Sequence, residues 1–360
     1  MNARGNLRIV WAIASKDIVD AIRNKTTLST ILSVLFLVVF YRLMPAWESG
    51  DTLPRLAIYD AGGSSLAAQL KDSTEFDLIE TSSQENMIAY VGNKDIVVMG
   101  LTLPVDFDQL LASGEELELQ GYAVHWATDA ATAEVRAFFE QHLSELTGKP
   151  VAIDIDGNIV HTQKDSRGFA FLASVSFILV LAIIGLSMVP NLMIEEKRAR
   201  TMDALLISPA RAGHIAVGKA IAGLFYCLTA AALVAGTYTA LITHWWLAAL
   251  AVVCGSLFTV SLGLLLGSTL RVKQQVMLWA WLLLIPLLMP VFLVIATDLF
   301  PAGLIAALRW VPTVALSSVF RVSFAETAPL AHFGPELALV VSSAALALAA
   351  VAWVVRRSDR

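Results

Sequence analysis

At 360 residues, 57% hydrophobic and only 15% charged, the chain is too apolar for a water-soluble domain of ordinary composition and reads as a multi-span membrane protein. A net charge of −5, with no Lys/Arg-rich run, excludes a nucleic-acid grip. The two cysteines, Cys227 and Cys254, both fall in apolar runs, so neither a disulfide framework nor a thiolate metal site can be built from them.

Residues 1–26 mix Arg4, Arg8, Lys16, Arg23 and Lys25 with apolar positions such as Leu7, Ile9, Val10, Ile13 and Ile18. This spacing predicts an amphipathic helix on the inner membrane face, with Trp11 at the interface and the bases against anionic headgroups. Residues 27–46 form the expected first span. It should stay uncleaved, because no small-residue cleavage site follows.

Residues 47–167 change character, carrying 21 acids against seven bases. Strand-like runs (55–59, 95–103 and 117–127) alternate with helical ones (64–71, 84–91 and 130–146), which predicts a small α/β domain inserted between the first and second spans. Asp154, Asp156 and Asn158 imitate the start of a calcium loop, but Ile159 occupies the place where that loop needs Gly. The stretch is therefore expected to be a turn between strands, and no metal site is predicted.

Five more runs approach the roughly 20 residues that a crossing helix needs: 168–193, 215–242, 247–270, 276–297 and 336–355. Six spans put both termini on one side. The short segments on that side then hold 15 of the 25 bases, including Arg271, Lys273, Arg356, Arg357 and Arg360. This bias makes the termini and the 356–360 tail cytoplasmic and the acidic domain external. Residues 298–335 are apolar but interrupted by Pro301, Arg309 and Pro312, so they are expected to form two short half-buried helices dipping in from outside. The predicted fold class is thus an all-α bundle of six transmembrane helices with an inserted extracytoplasmic α/β domain.

Between the second and third spans, residues 194–214 concentrate charge: Glu195, Glu196, Lys197, Arg198, Arg200 and Arg211. Met202, Leu205, Leu206 and Pro209 recur at i, i+3, i+4 and i+7, the pattern of a short helix with one apolar stripe. Ser208-Pro209 ends it, since a proline disfavours helical geometry in the residue before it. Charge alone is equally compatible with a loop that only fixes topology.

The order Glu195-Glu196-Lys197, Thr201-Met202-Asp203, Leu205-Leu206, Ser208-Pro209, then Gly218-Lys219 resembles the cytoplasmic loop of type 2 ABC transporter permeases. Two positions depart from that pattern: Arg200 stands where Gly is usual and His214 where an acid is usual. The segment VVMGLTLPVDFDQLLASG is similar to the extracytoplasmic insert of NatB-like, sodium-efflux-type members. Val311-Pro312, with Arg321 further on, resembles the family's outer gate, to which Trp310 is adjacent.

This resemblance implies a coupling helix near 201–207 seated in a groove of a separate ABC ATPase. That partner would bind ATP and Mg, and this chain no cofactor. It also implies a second permease subunit, identical or homologous. Met202, Leu205 and Leu206 are expected to fill the groove, and Arg198, Arg200 and Arg211 to face acids on the ATPase.

No HExxH, GxSxG or Walker-type loop is present, and no catalytic residue is predicted. The span cores lack Asp, Glu and Arg, and their one Lys, Lys219, lies at an inner end, which disfavours a simple cation path. Polar cargo would meet Ser174, Ser176, Ser187, Thr229, Thr237, Tyr238, Ser256 and Thr259, although each hydroxyl has the alternative of bonding within its own helix. The sequence reading is the permease subunit of an ABC exporter for a hydrophobic or amphiphilic substrate (drug, lipid or peptide) in the bacterial inner membrane. The alternatives are a sodium-efflux permease and a membrane-anchored sensor or scaffold. Membrane lipids are the other expected partner.

Overall fold

A computed structural model describes residues 3–23, 29, 32–33, 36, 38–40, 53–71, 73–93, 98–113, 117–198, 212–270, 272–296 and 299–358. The predicted first span falls largely outside these residues. The insert runs β1 (Arg55–Asp60), α2 (Ser65–Lys71), β2 (Asp77–Glu80), α3 (Gln84–Gly92), β3 (Val98–Leu103), α4 (Phe107–Ser113), β4 (Leu117–Val124), α5 (Asp129–Thr147), β5 (Val151–Asp154) and β6 (Ile159–Val160). It follows α1 (Ala3–Arg23) in the chain. The sheet order is β2-β1-β3-β4-β5, with β6 also paired to β4; β1 is parallel to β2 and β3, and β3 is antiparallel to β4.

Local chemistry sets the helix ends. Thr128 caps α5 by accepting from the Ala131 amide at 3.2 Å, and Gly148 closes it in the left-handed region at φ 68°. Strand alternation then sorts the apolar residues between the two faces of the sheet. Leu56, Ile58, Leu101, Leu119 and Ile153 pack under α2, α4 and α5 as the insert's own core. On the opposite face Ala57, Val98, Tyr122 and Val124, with Met87 and Val91 of α3, join the core of the helical bundle. The seam is aromatic: Trp126 lies 4.7 Å from Phe169, and Phe169 lies 5.5 Å from Tyr238. The Asp154–Asn158 stretch is a turn between β5 and β6, with the Asp156 amide donating to Asp154 Oδ1 and Gly157 at φ 81°.

The bundle begins with α6 (Phe169–Ile183), which passes through a π-helical turn (Ile184–Met188) into α7 (Val189–Arg198). Pro190 has no N–H for the Leu186 carbonyl and its ring crowds that oxygen; the widened turn just before it takes up the misfit. Asn191 Nδ2 donates to the Ser187 carbonyl there at 2.7 Å. The remaining helices are α8 (Ala212–Thr237), α9 (Trp245–Thr269), α10 (Lys273–Leu293), α11 (Ala302–Leu308), α12 (Pro312–Phe324) and α13 (Leu330–Ser358).

Among the described residues five helices are long and apolar enough to cross a membrane, and α11 with α12 forms a pair bent by 84°. The bend sits where Pro312 opens α12. Its two arms differ in burial. α11 exposes most residues, whereas α12 is buried almost throughout, with Phe320 stacked on Phe177 at 4.7 Å.

Some helix boundaries differ from the sequence reading. The third span ends as a helix at Thr237, followed by a hydrogen-bonded turn through Ile242. The last helix starts at Leu330, tolerates Pro335 near its beginning, and so takes Glu336 into its first turns. α1, expected on the inner membrane face, packs Val10 and Ile13 against Gly218 of α8, while Leu7 and Trp11 stay exposed.

Candidate functional site

Glu195, Glu196, Lys197 and Arg198 continue α7 as helix, and α8 starts at Ala212. The predicted coupling residues Arg200, Thr201, Met202, Asp203, Leu205, Leu206, Ser208 and Pro209, with Arg211, lie outside the described residues. What frames them is a buried ion pair. Lys219, 1% exposed, donates from Nζ to Asp17 Oδ2 of α1 at 3.1 Å and to the Leu192 carbonyl of α7 at 2.8 Å. One α8 ammonium thereby ties together the helix entering the 199–211 segment, the helix leaving it, and α1. Tyr226 Oη adds donations to the Asp17 and Ile18 carbonyls at 2.9 and 2.8 Å. Gly218 makes the contact possible, since a Cβ there would meet Ile13 at 2.8 Å.

The hydroxyls proposed for cargo are largely occupied inside the bundle. Thr229, Thr237, Ser256 and Thr259 donate to carbonyls three or four residues back in their own helices. Two link helices as well: Ser174 meets Ser317 at 3.0 Å, and Ser176 meets Tyr238 Oη at 3.1 Å. Ser187 stands in the π turn, half-buried.

At the opposite end of the bundle, the gate candidates part company. Trp310 is 75% exposed, Pro312 occupies the first turn of α12, and Arg321 is 7% exposed. The C-terminal end of α12 is bound to the loop before α9: the Thr243 and His244 amides donate to the Ser323 carbonyl at 3.1 and 2.8 Å. Thr313 Oγ1, at the other end of α12, donates to the Leu287 carbonyl in the proline-interrupted α10. The insert closes the joint. Thr162 donates to the Phe324 carbonyl at 3.1 Å, and Lys164 pairs with Glu336 at 3.1 Å. His125, stacked on His161 at 4.7 Å, has its Nε2 3.2 Å from the Leu241 carbonyl. Burial holds the His125 imidazole below its ordinary pKa.

Between the 157–165 loop, α12 and the start of α13 lies a cavity of about 810 Å³. Arg309, Arg321, Lys164, Asp165, Glu326 and Glu336 bring charge to its wall. Sequence reading singled out Arg321 alone. Glu336 was the available signal for the rest, an acid just ahead of an otherwise apolar span.

The described geometry thus comprises apolar helices long enough to cross a membrane, a bent pair at one end, and the buried Lys219–Asp17 pair at the other. A family model described as an ABC-2 family transporter protein matches residues 25–353. The chain belongs to the ABC-2 transporter family. No curated protein matches it. As an ABC-2 permease it is a multi-pass transmembrane subunit of an ABC transporter. Membership implies an ABC ATPase as partner and typically a second permease, with ATP hydrolysis assigned to the former.

Proposed function

We propose that this ABC-2 permease is the membrane half of an exporter for hydrophobic or amphiphilic molecules, driven through a coupling helix at residues 201–207. The observation that carries the reading is the charge distribution of the helices. The five long spans among the described residues carry charge only toward their ends, and Lys219, toward the inner end of α8, is matched by Asp17 at 3.1 Å. A cation path needs an ionisable group in mid-membrane; a greasy cargo does not, and so sodium efflux is the weaker fit.

In this reading the protein sits in a bacterial inner membrane with both termini and the 199–211 segment in the cytoplasm and the insert outside, as the distribution of bases favours. Outward-facing apolar residues such as Met277, Leu278, Trp281 and Ile285 on α10 meet lipid or the second permease subunit. ATP binding and Mg chemistry stay with the ATPase, and this chain contributes Met202, Leu205 and Leu206 as apolar contacts in its groove. Closure of the ATPases pushes the segment between α7 and α8, the Lys219 tie carries that displacement to α1, and the bent α11–α12 pair yields at the far side.

A photo-crosslinking residue at position 205, activated in cells, tests the docking. The expected product is an adduct with a Walker-motif ATPase. Adducts formed only with lipid, or accessibility of position 205 from outside the cell, would reject it.

A further inference from the structure

Arg321 and Glu336 both line the outer cavity, and among the described residues Nε of the one and Oε2 of the other, both closed off from solvent, have no hydrogen-bond partner. A charged group left unsatisfied in this way costs more than the roughly 1–3 kcal/mol of a neutral one, so such a pair calls for a partner. Among the described residues the hydrogen bond from Arg321 runs from Nη1 to the Ser166 carbonyl at 3.5 Å. Glu336 uses its other oxygen, Oε1, for Lys164 at 3.1 Å. One orphan is a donor and the other an acceptor, and the two side chains that carry them line the same space.

Charge balance narrows what fits. Three bases (Lys164, Arg309 and Arg321) face three acids (Asp165, Glu326 and Glu336) on this wall, so a net-neutral guest is accommodated where a net anion is not. Two guanidinium groups favour a guest with several acceptor oxygens, as a phosphate has. Val294 at the end of α10, with Val314 and Val322 on α12, continues the wall in apolar side chains toward the bundle. We infer that this cavity binds a phosphoethanolamine-type zwitterion, its phosphate accepting from the Arg309 and Arg321 guanidinium groups and its ammonium donating to the Glu336 carboxylate. The site stands apart from the transport reading, since occupancy requires neither the ATPase nor turnover.

Thermal unfolding of the purified full-length chain tests it. In detergent, phosphoethanolamine at tenfold over half-saturation is expected to raise the midpoint by roughly 2 °C or more. Phosphocholine, whose quaternary nitrogen has no N–H for the Glu336 carboxylate, and inorganic phosphate should each give a smaller rise. Arg321→Gln and Glu336→Gln should both abolish the difference between phosphoethanolamine and phosphocholine. Should the buried Arg321→Gln variant fail to fold, Glu336→Gln, at a half-buried side chain, still decides the matter. Nanodiscs of phosphatidylethanolamine, compared with phosphatidylglycerol, separate the sources: a rise only in the former identifies a lipid headgroup, and a rise with the soluble compound identifies a free ligand. No rise from either would mean that the cavity holds water alone, and a rise that Glu336→Gln leaves intact would place the ligand elsewhere; each result would overturn the proposal.

Discussion

Lys219→Met is expected to destabilise the protein by about 3–5 kcal/mol, the usual cost of removing one member of a buried ion pair and stranding the other. Asp17 is 5% exposed, so its carboxylate would lose its partner without gaining water, and the Leu192 carbonyl would lose a donor as well. Asp17→Ala should cost a similar amount by stranding the ammonium. Because a buried pair is itself expensive to desolvate, the double variant Asp17→Ala/Lys219→Met should recover a large part of the loss. Unfolding midpoints of the four proteins in one detergent give the coupling energy directly. Single variants within about 0.5 kcal/mol of the parent, with no recovery in the double, would show the contact to be incidental.

Gly263→Leu is the second large effect. A Cβ on Gly263 would run into the carbonyl oxygen of Gly185 and stand 3.1 Å from Cβ of Val189, so α9 and the π turn of the second span touch backbone to backbone. Four residues on, a Cβ at Gly267 would meet the Pro190 Cα at 3.0 Å, and Gly185 in turn faces Thr259. Overpacking a closed seam typically costs about 1–3 kcal/mol, and here main chain rather than a flexible side chain has to give way. Even Gly263→Ala should be damaging. Gly236→Ala is the matched control: nothing lies within 4 Å of its added Cβ, so it should be neutral or gain up to about 1 kcal/mol of helix propensity. Equal midpoints for Gly263→Ala and Gly236→Ala would contradict the close approach.

Which of these features could be read from the residues follows from the range of the forces involved. Local signals survive well. Pro301 and Pro312 announced the break that becomes the 84° bend, and Asp154, Asp156 and Asn158 announced the turn before β6. Glycines four apart, as at Gly263 and Gly267, permit a close helix contact without naming the helix that fills it. Pairings across the chain were not legible. Lys219 and Asp17 are separated by 202 positions, and nothing in either neighbourhood marks the other. β2, β5 and β6 span four, four and two residues, too few to show alternation against a polar background. The π turn has a visible cause in Pro190, but a proline also permits a plain kink, and packing against α9 selects the outcome. Hydroxyl positions such as Ser176 could be listed from sequence, yet whether they face cargo or Tyr238 depends on how α6 is rotated.

The sharpest measurement of ATP-driven coupling is ATPase stimulation in reconstituted vesicles by the Leu205→Asp variant beside the parent protein. A carboxylate in an apolar groove forfeits roughly the 1.5–3 kcal/mol that a buried Leu supplies and adds the cost of an unpaired buried charge. Loss of stimulation, with membrane insertion and the unfolding midpoint unchanged, is the predicted result. Stimulation at the parent's level would contradict docking through this face of the 201–207 segment.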